Sequence, residues 1–173
     1  MAVDAIKVSL KIPYLGGIDG TWRPNDDERR AAWELYVELV TRVAVNELRE
    51  DEGGLREALS SLHSVFGTTR EVLRRYGPSL ATPSTPGYYS IGYLAMAVLN
   101  FSLRPFLSKW HPLLLDCEAR RGEGVSLIEN EQSWNLQGEL QGELKATREV
   151  LTQYADLLAQ AAGVPSLIIP RQG

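Results

Sequence analysis

Cysteine and histidine are scarce in this chain of 173 residues, which holds one cysteine, Cys117, and two histidines, His63 and His111. A single cysteine excludes an internal disulfide and a zinc site built from cysteines, and it is typical of proteins in a reducing cytosol. Two histidines leave little imidazole for metal binding or acid–base catalysis. We therefore expect no metal and no other cofactor.

Signature motifs of common enzyme classes are missing as well. The sequence contains no nucleophile elbow, zinc signature, E-x-x-H metal pair, Walker motif or Rossmann fingerprint. The glycine-rich stretch from Gly16 to Gly20 matches neither the Walker motif nor the Rossmann fingerprint, the two glycine-rich patterns that bind phosphate groups. We interpret that stretch as a hairpin-like bend.

The sequence also lacks an excess of basic residues and a long unbroken apolar run. The net charge of −4 and the pI near 5.3 disfavour a protein that wraps duplex nucleic acid. The apolar run from Tyr88 to Leu103 is interrupted by glycine, serine and asparagine, and it is short for a membrane span. Residues 1–11 alternate in polarity, unlike the apolar centre of a signal peptide. We expect a cytoplasmic protein that binds neither membranes nor duplex nucleic acid.

The composition that is present, 44% hydrophobic and 23% charged residues, is that of an ordinary globular protein. The length predicts a single domain, residues 1–173. We assign residues 1–24 to a strand and a turn, 25–162 to four helices and 163–173 to an extended tail. The predicted fold is all-α, a four-helix bundle with a kinked third helix and a short N-terminal β-strand.

The strand prediction depends on residues Ile6 to Ile12, where apolar and polar side chains alternate strictly. This alternation is typical of a strand with one buried face. A strand needs a partner, and the only other extended segment lies between Pro165 and Pro170. We predict that the strand pairs with the segment around Leu167 to Ile169 or with another chain.

Capping signals and the helical period place the four helices. Asn25 and Glu28 have the spacing of a capping box at the start of the first helix. Gly77 followed by Pro78 ends the second helix. The four predicted helices cover residues 25–49, 55–76, 88–121 and 129–162.

The third helix carries an ordered set of polar side chains on an otherwise apolar segment. At 100° per residue, Tyr93, Asn100, Arg104 and His111 fall within a sector roughly 40° wide. We expect these groups to form either a buried polar network or a site. Pro105 and Pro112 should kink or break the helix, since each removes a backbone donor.

Arg104 and His111 also carry the one resemblance to a known family. An arginine, six residues and a histidine resemble the R-x4-6-H motif of HEPN domains, which are small all-α bundles that often act as metal-independent ribonucleases in bacterial defence systems. The resemblance covers eight residues. It implies that Arg104 stabilises phosphate charge and that His111 is a general acid or base.

A second candidate surface lies on the fourth helix. Gly138 and Gly142 are one turn apart, in the repeat QGELQGEL, and lie opposite the leucines. Glycines with this spacing allow close approach of another backbone. They mark either a packing surface for another protein or a weak, solvent-facing helix, and both interpretations stay open.

Three functions are compatible with these features. The favoured one is a non-catalytic protein–protein interaction or regulatory subunit of a bacterial cytosolic system, such as a defence or conflict system, with a protein partner or a second copy of the chain. The first alternative is the HEPN-like ribonuclease, under which RNA is the partner. The second is a small-molecule sensor whose pocket inside the bundle is fixed by Tyr93, Asn100 and Arg104.

Overall fold

The computed structural model describes residues 4–13, 15–42 and 54–168. The structure is mostly helical (67%), with five helices and one two-stranded antiparallel sheet in the part described. The elements are β1 (Ile6–Ile12), β2 (Gly16–Trp22), α1 (Asp26–Val40), α2 (Leu55–Tyr76), α3 (Ile91–Ala119), α4 (Leu127–Ser133) and α5 (Gln137–Ala162). A short 3-10 helix, Gly77–Leu80, follows α2.

The predicted strand is present, but the prediction that it pairs with the tail segment around Leu167 is wrong. β1 pairs with β2 in an antiparallel hairpin whose register runs from Ile6 opposite Trp22 to Ile12 opposite Gly16. Gly16 has a φ of +91°, which suits the turn, and the following glycine-rich stretch is itself the second strand. The local hairpin avoids the long loop closure that the C-terminal tail would require.

The tail follows a different course. Residues 164–168 form no strand, and the Leu167 N–H donates a hydrogen bond to the Tyr36 hydroxyl of α1. Ile169 lies outside the described residues. Within residues 164–168 the tail therefore contacts α1, and β1 pairs with β2 instead of with the tail.

The first helix begins as predicted and ends earlier. Asn25 and Glu28 form the reciprocal capping box, and acidic residues fill the first turn. α1 ends at Val40, where the Thr41 hydroxyl donates to the Val37 carbonyl 2.7 Å away. The prediction that this helix reaches Arg49 is wrong in its end point, and residues 43–53 lie outside the described part.

α3 passes through both of its prolines as one continuous helix. Its first segment, Ile91–Ala97, leads into a π-helical segment, Val98–Leu103, and then into regular helix to Ala119. Of the predicted kink or break, the break is wrong; at Pro105 the wider π turn relieves the crowding that the proline imposes on the preceding turn. Arg104, although it precedes a proline, keeps helical angles (φ −61°, ψ −49°), and its N–H bonds the carbonyl of Leu99, five residues back.

The predicted fourth helix is divided into α4 and α5. Trp134 leaves the helical region (ψ 128°), and its ring packs edge-on against Trp110 of α3 with 6.1 Å between centroids. Trp134 is partly buried against the core, and its contact with Trp110 stabilises the interrupted geometry. α4 starts at a capping box formed by Ser126 and Glu129.

Two buried carboxylates connect the elements. Glu28 has no exposed surface and accepts hydrogen bonds from the Trp22 indole (3.0 Å) and from the Ile91 N–H (2.8 Å). Glu131 of α4 accepts from the Leu55 N–H (3.3 Å) at the start of α2, where a helix terminus favours negative charge. Burial raises the pKa of both carboxyls above the ordinary value, and the hydrogen bonds partly offset that rise.

Among the described residues, α3 is the one helix long and apolar enough to cross a membrane. Its most apolar window is 61% buried within the fold. Such burial is expected of the core helix of a soluble protein.

Candidate functional site

Arg104 and His111 lie on a surface where α2 meets α3. Seven-residue steps, about two helical turns, separate Arg56, His63 and Arg70 on α2, and the same steps separate Arg104, His111 and Glu118 on α3. Arg56 meets Glu118 while Phe66 meets Arg104, so the two helices run antiparallel. We call this surface the seam; it comprises Arg56, His63, Phe66 and Arg70 of α2 and Arg104, His111 and Glu118 of α3.

One end of the seam is an ion pair that engages His111. Nε and Nη2 of Arg56 donate to the two oxygens of Glu118 at 3.0 and 3.1 Å. Nη1 of Arg56 lies 2.9 Å from Nδ1 of His111. Because a guanidinium has only donors, Nδ1 must accept, and the imidazole proton sits on Nε2.

The His111 ring is therefore held as a neutral imidazole. Burial lowers its pKa below the ordinary value, and the nearby Arg56 and His63 lower it further. The His63 ring lies edge-on to it, with 5.8 Å between centroids. Nε2 is buried and has no hydrogen-bond partner among the described residues.

The other end of the seam has two arginines around one aromatic ring. The guanidinium carbons of Arg70 and Arg104 lie 5.7 and 5.3 Å from the centre of the Phe66 ring. Arg104 Nε also donates to Asn100 Oδ1 at 3.2 Å. Both arginines are exposed, and within the described ranges neither has a carboxylate partner. Positive charge is thus concentrated here on a chain that is acidic overall.

The structure brings together only some of the predicted site residues. Asn100 contacts Arg104, whereas His111 bonds Arg56 instead of Arg104. Tyr93 stacks on Tyr89 near the start of α3, with 5.2 Å between ring centroids, and it is 56% exposed. Of the two expected arrangements, the buried polar network is wrong for Tyr93, Asn100 and Arg104, which are exposed. The π-helical segment between Tyr93 and Arg104 also changes the helical period on which their common sector depended.

Sequence reasoning missed the α2 half of the seam. None of Arg56, Phe66 and Arg70 was singled out from the sequence. In the structure Arg56 contacts His111, and the Phe66 ring contacts Arg70 and Arg104. The signal that could have found them is the matching seven-residue repeat of basic and imidazole side chains on two consecutive helices.

The glycine pair of α5 lies on the outer face of its helix. Gly138 and Gly142 are exposed, and a methyl group added at either position would meet no described atom within 4 Å. Within the described chain, then, no second element packs on this face.

No group of three or more histidine, cysteine, aspartate or glutamate residues that could hold a metal occurs in the part of the chain that the structure describes.

Compared with protein-family models, with curated proteins and with solved structures, the chain gives no match.

Proposed function

We propose that the chain is a non-catalytic interaction or regulatory subunit that binds an acidic segment of a partner protein along the seam. The observation that carries the proposal is that Arg70 of α2 and Arg104 of α3 both lie beside the ring of Phe66. Both arginines are exposed, and neither pairs with a carboxylate among the described residues. A cytoplasmic location belongs to the same proposal.

The geometry suits carboxylates. A guanidinium that packs on an aromatic ring keeps its N–H groups free at the edge, where they can donate in pairs to a carboxylate. Gly67 is exposed next to Phe66, and the space above it is open, so a bound backbone can approach α2 closely. Two arginines held by one ring also lose less conformational freedom on binding than two mobile side chains would.

The HEPN-like ribonuclease remains the runner-up proposal. Arg104 is exposed and could meet a phosphate. His111 is less well suited to its role, because a general base needs a free lone pair and Nδ1 already accepts from Arg56. The sensor proposal has less support, since Asn100 and Arg104 contact each other while Tyr93 stacks elsewhere.

The test is the binding of a fluorescein-labelled glutamate-rich peptide, measured by anisotropy. The double variant Arg70→Gln with Arg104→Gln should weaken binding about a hundredfold, since each charge-assisted contact is worth about 1.5 kcal/mol or more. The control is Arg120→Gln with Arg121→Gln, which changes the net charge equally at the far end of α3. Equal losses in the two double variants, or no binding by the parent protein, would refute docking at the seam.

A parallel assay with single-stranded RNA in a chelator separates the runner-up. We expect no cleavage by the parent protein. Cleavage that is lost in both Arg104→Ala and His111→Ala, with melting temperatures unchanged, would replace the docking proposal with the ribonuclease.

A further inference from the structure

A cavity of about 270 Å³ opens between α3, α5 and Pro13, the residue that follows β1. None of the seam residues lines it. Its walls are mostly apolar, and the residues that line it are Pro13, Phe101, Ser102, Pro105, Phe106, Lys109, Glu143, Ala146 and Thr147. The mostly apolar lining with a few polar groups suits a small organic molecule, and the volume lies just below the range of about 300–1,000 Å³ that is usual for such sites.

The π-helical segment of α3 builds one wall of this cavity. It contributes Phe101, which is 51% exposed, and Ser102, which is almost fully buried. Ser102 is one of the few polar residues that line the cavity. π-helical turns are frequently retained at functional sites, because they redirect side chains that a regular helix would place elsewhere.

Lys109 and Glu143 line the cavity, and Glu139 contacts Lys109 from outside the lining, so this cluster of three side chains has one more carboxylate than ammonium. Lys109 Nζ lies 2.8 Å from Glu139 and 2.6 Å from Glu143, so one ammonium is shared by two carboxylates. The Trp110 indole donates to the second oxygen of Glu143 at 2.6 Å. Burial alone would raise the pKa of Glu143, but the hydrogen bonds from Lys109 and Trp110 outweigh it and lower that pKa. Glu143 therefore faces the cavity as a carboxylate.

From these features we infer that the cavity binds a small amphipathic amine. Its apolar body would fill the space between Phe101 and Phe106, and its ammonium would meet Glu143 and the faces of the aromatic rings. The Ser102 hydroxyl supplies one further polar contact. An anionic ligand would be repelled by Glu139 and Glu143, which together outnumber Lys109.

Three probes of the same shape test the charge preference: 1-naphthylmethylamine, 1-naphthalenemethanol and 1-naphthoate. Binding is followed by isothermal titration calorimetry. We expect the amine to bind about tenfold more tightly than the alcohol, and naphthoate to bind most weakly. Equal affinity for all three probes, or no saturable binding of the amine, would overturn the inference.

Substitutions in the cavity locate the binding. Ala146→Leu, which adds bulk to the α5 wall, should abolish binding of all the probes, whereas Ala162→Leu, at a similarly half-buried position of α5, should leave it unchanged. Glu143→Gln should reduce the preference for the amine to less than about threefold while the alcohol still binds. If Glu143→Gln fails to fold, Glu139→Gln, which removes the other carboxylate bound to Lys109, should lower the same preference. Retained binding in a folded Ala146→Leu variant would place the probe elsewhere and refute the site.

Discussion

Glu28 offers the sharpest test of how this fold is held together. One carboxylate oxygen accepts from the Trp22 indole of β2 and from the Ile91 N–H at the start of α3, and the other accepts from the Asn25 N–H at 2.8 Å. Glu28→Ala would therefore remove the acceptor that the hairpin, the start of α1 and the start of α3 share.

The expected cost follows from the donors that lose their acceptor. Trp22 and Ile91 have no more than 1% exposed surface, so water cannot replace the carboxylate at their N–H groups. Each orphaned buried donor costs about 1–3 kcal/mol. Release of the buried carboxylate, whose pKa burial raises, returns part of that cost. We expect Glu28→Ala to lower the free energy of unfolding by about 2–4 kcal/mol.

Two comparisons isolate the effect in urea unfolding followed by circular dichroism. Glu28→Gln keeps one oxygen for Trp22 and Ile91 and loses only the Asn25 contact, so it should cost about 1 kcal/mol near neutral pH. Glu34→Ala, on the same helix, breaks contacts to Arg75 and Tyr76 at the surface and should cost less than about 1 kcal/mol. If Glu28→Ala and Glu34→Ala are equally mild, the carboxylate does not organise the fold.

The pH dependence gives the same argument a second readout. Because burial holds the pKa of Glu28 above its ordinary value, the folded protein keeps this proton at pH values where the unfolded chain has lost it. The contribution of this proton to stability is fully present below the unfolded pKa and falls as pH rises through the folded pKa. The advantage of the parent protein over Glu28→Gln should shrink over that range.

Two further predictions concern the seam and the glycines. The variant His111→Asn keeps an acceptor for Arg56 but has no group that titrates. Because the pKa of His111 is lowered in the folded state, the parent protein should lose stability relative to this variant as pH falls below about 6.5. We expect a loss of up to about 1.4 kcal/mol per pH unit, measured by urea unfolding. A difference that is constant with pH would contradict the neutral imidazole. Gly92→Ala would place a methyl group 2.8 Å from the Leu80 carbonyl and should lower thermal stability by about 1–3 kcal/mol, whereas Gly138→Ala, in open space, should raise it by about 0.5–1 kcal/mol. The same sign for both glycine variants would refute the packing argument.

Local signals predicted those parts of the fold that depend on neighbouring residues. The alternation of β1, the capping box of Asn25 and the stop at Gly77 all appear in the structure, because each reflects contacts within a few residues. The division of the fourth helix was mispredicted for the opposite reason, whereas the local pairing of β1 was missed because the glycine-rich β2 lacks the apolar alternation of a strand. Tyr89 covers Gly20 and Trp110 meets Trp134 across long sequence distances, and no local pattern records such contacts.

In the candidate site, too, local features could be predicted from the sequence and distant contacts could not. The position of Arg104 and His111 on one helix could be predicted from spacing alone, but their partners could not. Arg56 and Phe66 come from α2, and their side chains decide that His111 is neutral and that Arg104 is stacked. A helical projection also assumes a constant period, which the π-helical segment of α3 does not keep.

That segment connects the seam with the cavity. Pro105 has no N–H to offer the turn before it, and the Arg104 N–H reaches back five residues to Leu99, so the backbone widens over Val98–Leu103. The widened turn directs Phe101 and Ser102 toward α5 while Arg104 lies over Phe66 of α2. One irregularity in one helix thus sets the geometry of both surfaces. A substitution of Pro105 would disturb both at once, whereas Arg70 on α2 and Ala146 on α5 each report on one of them.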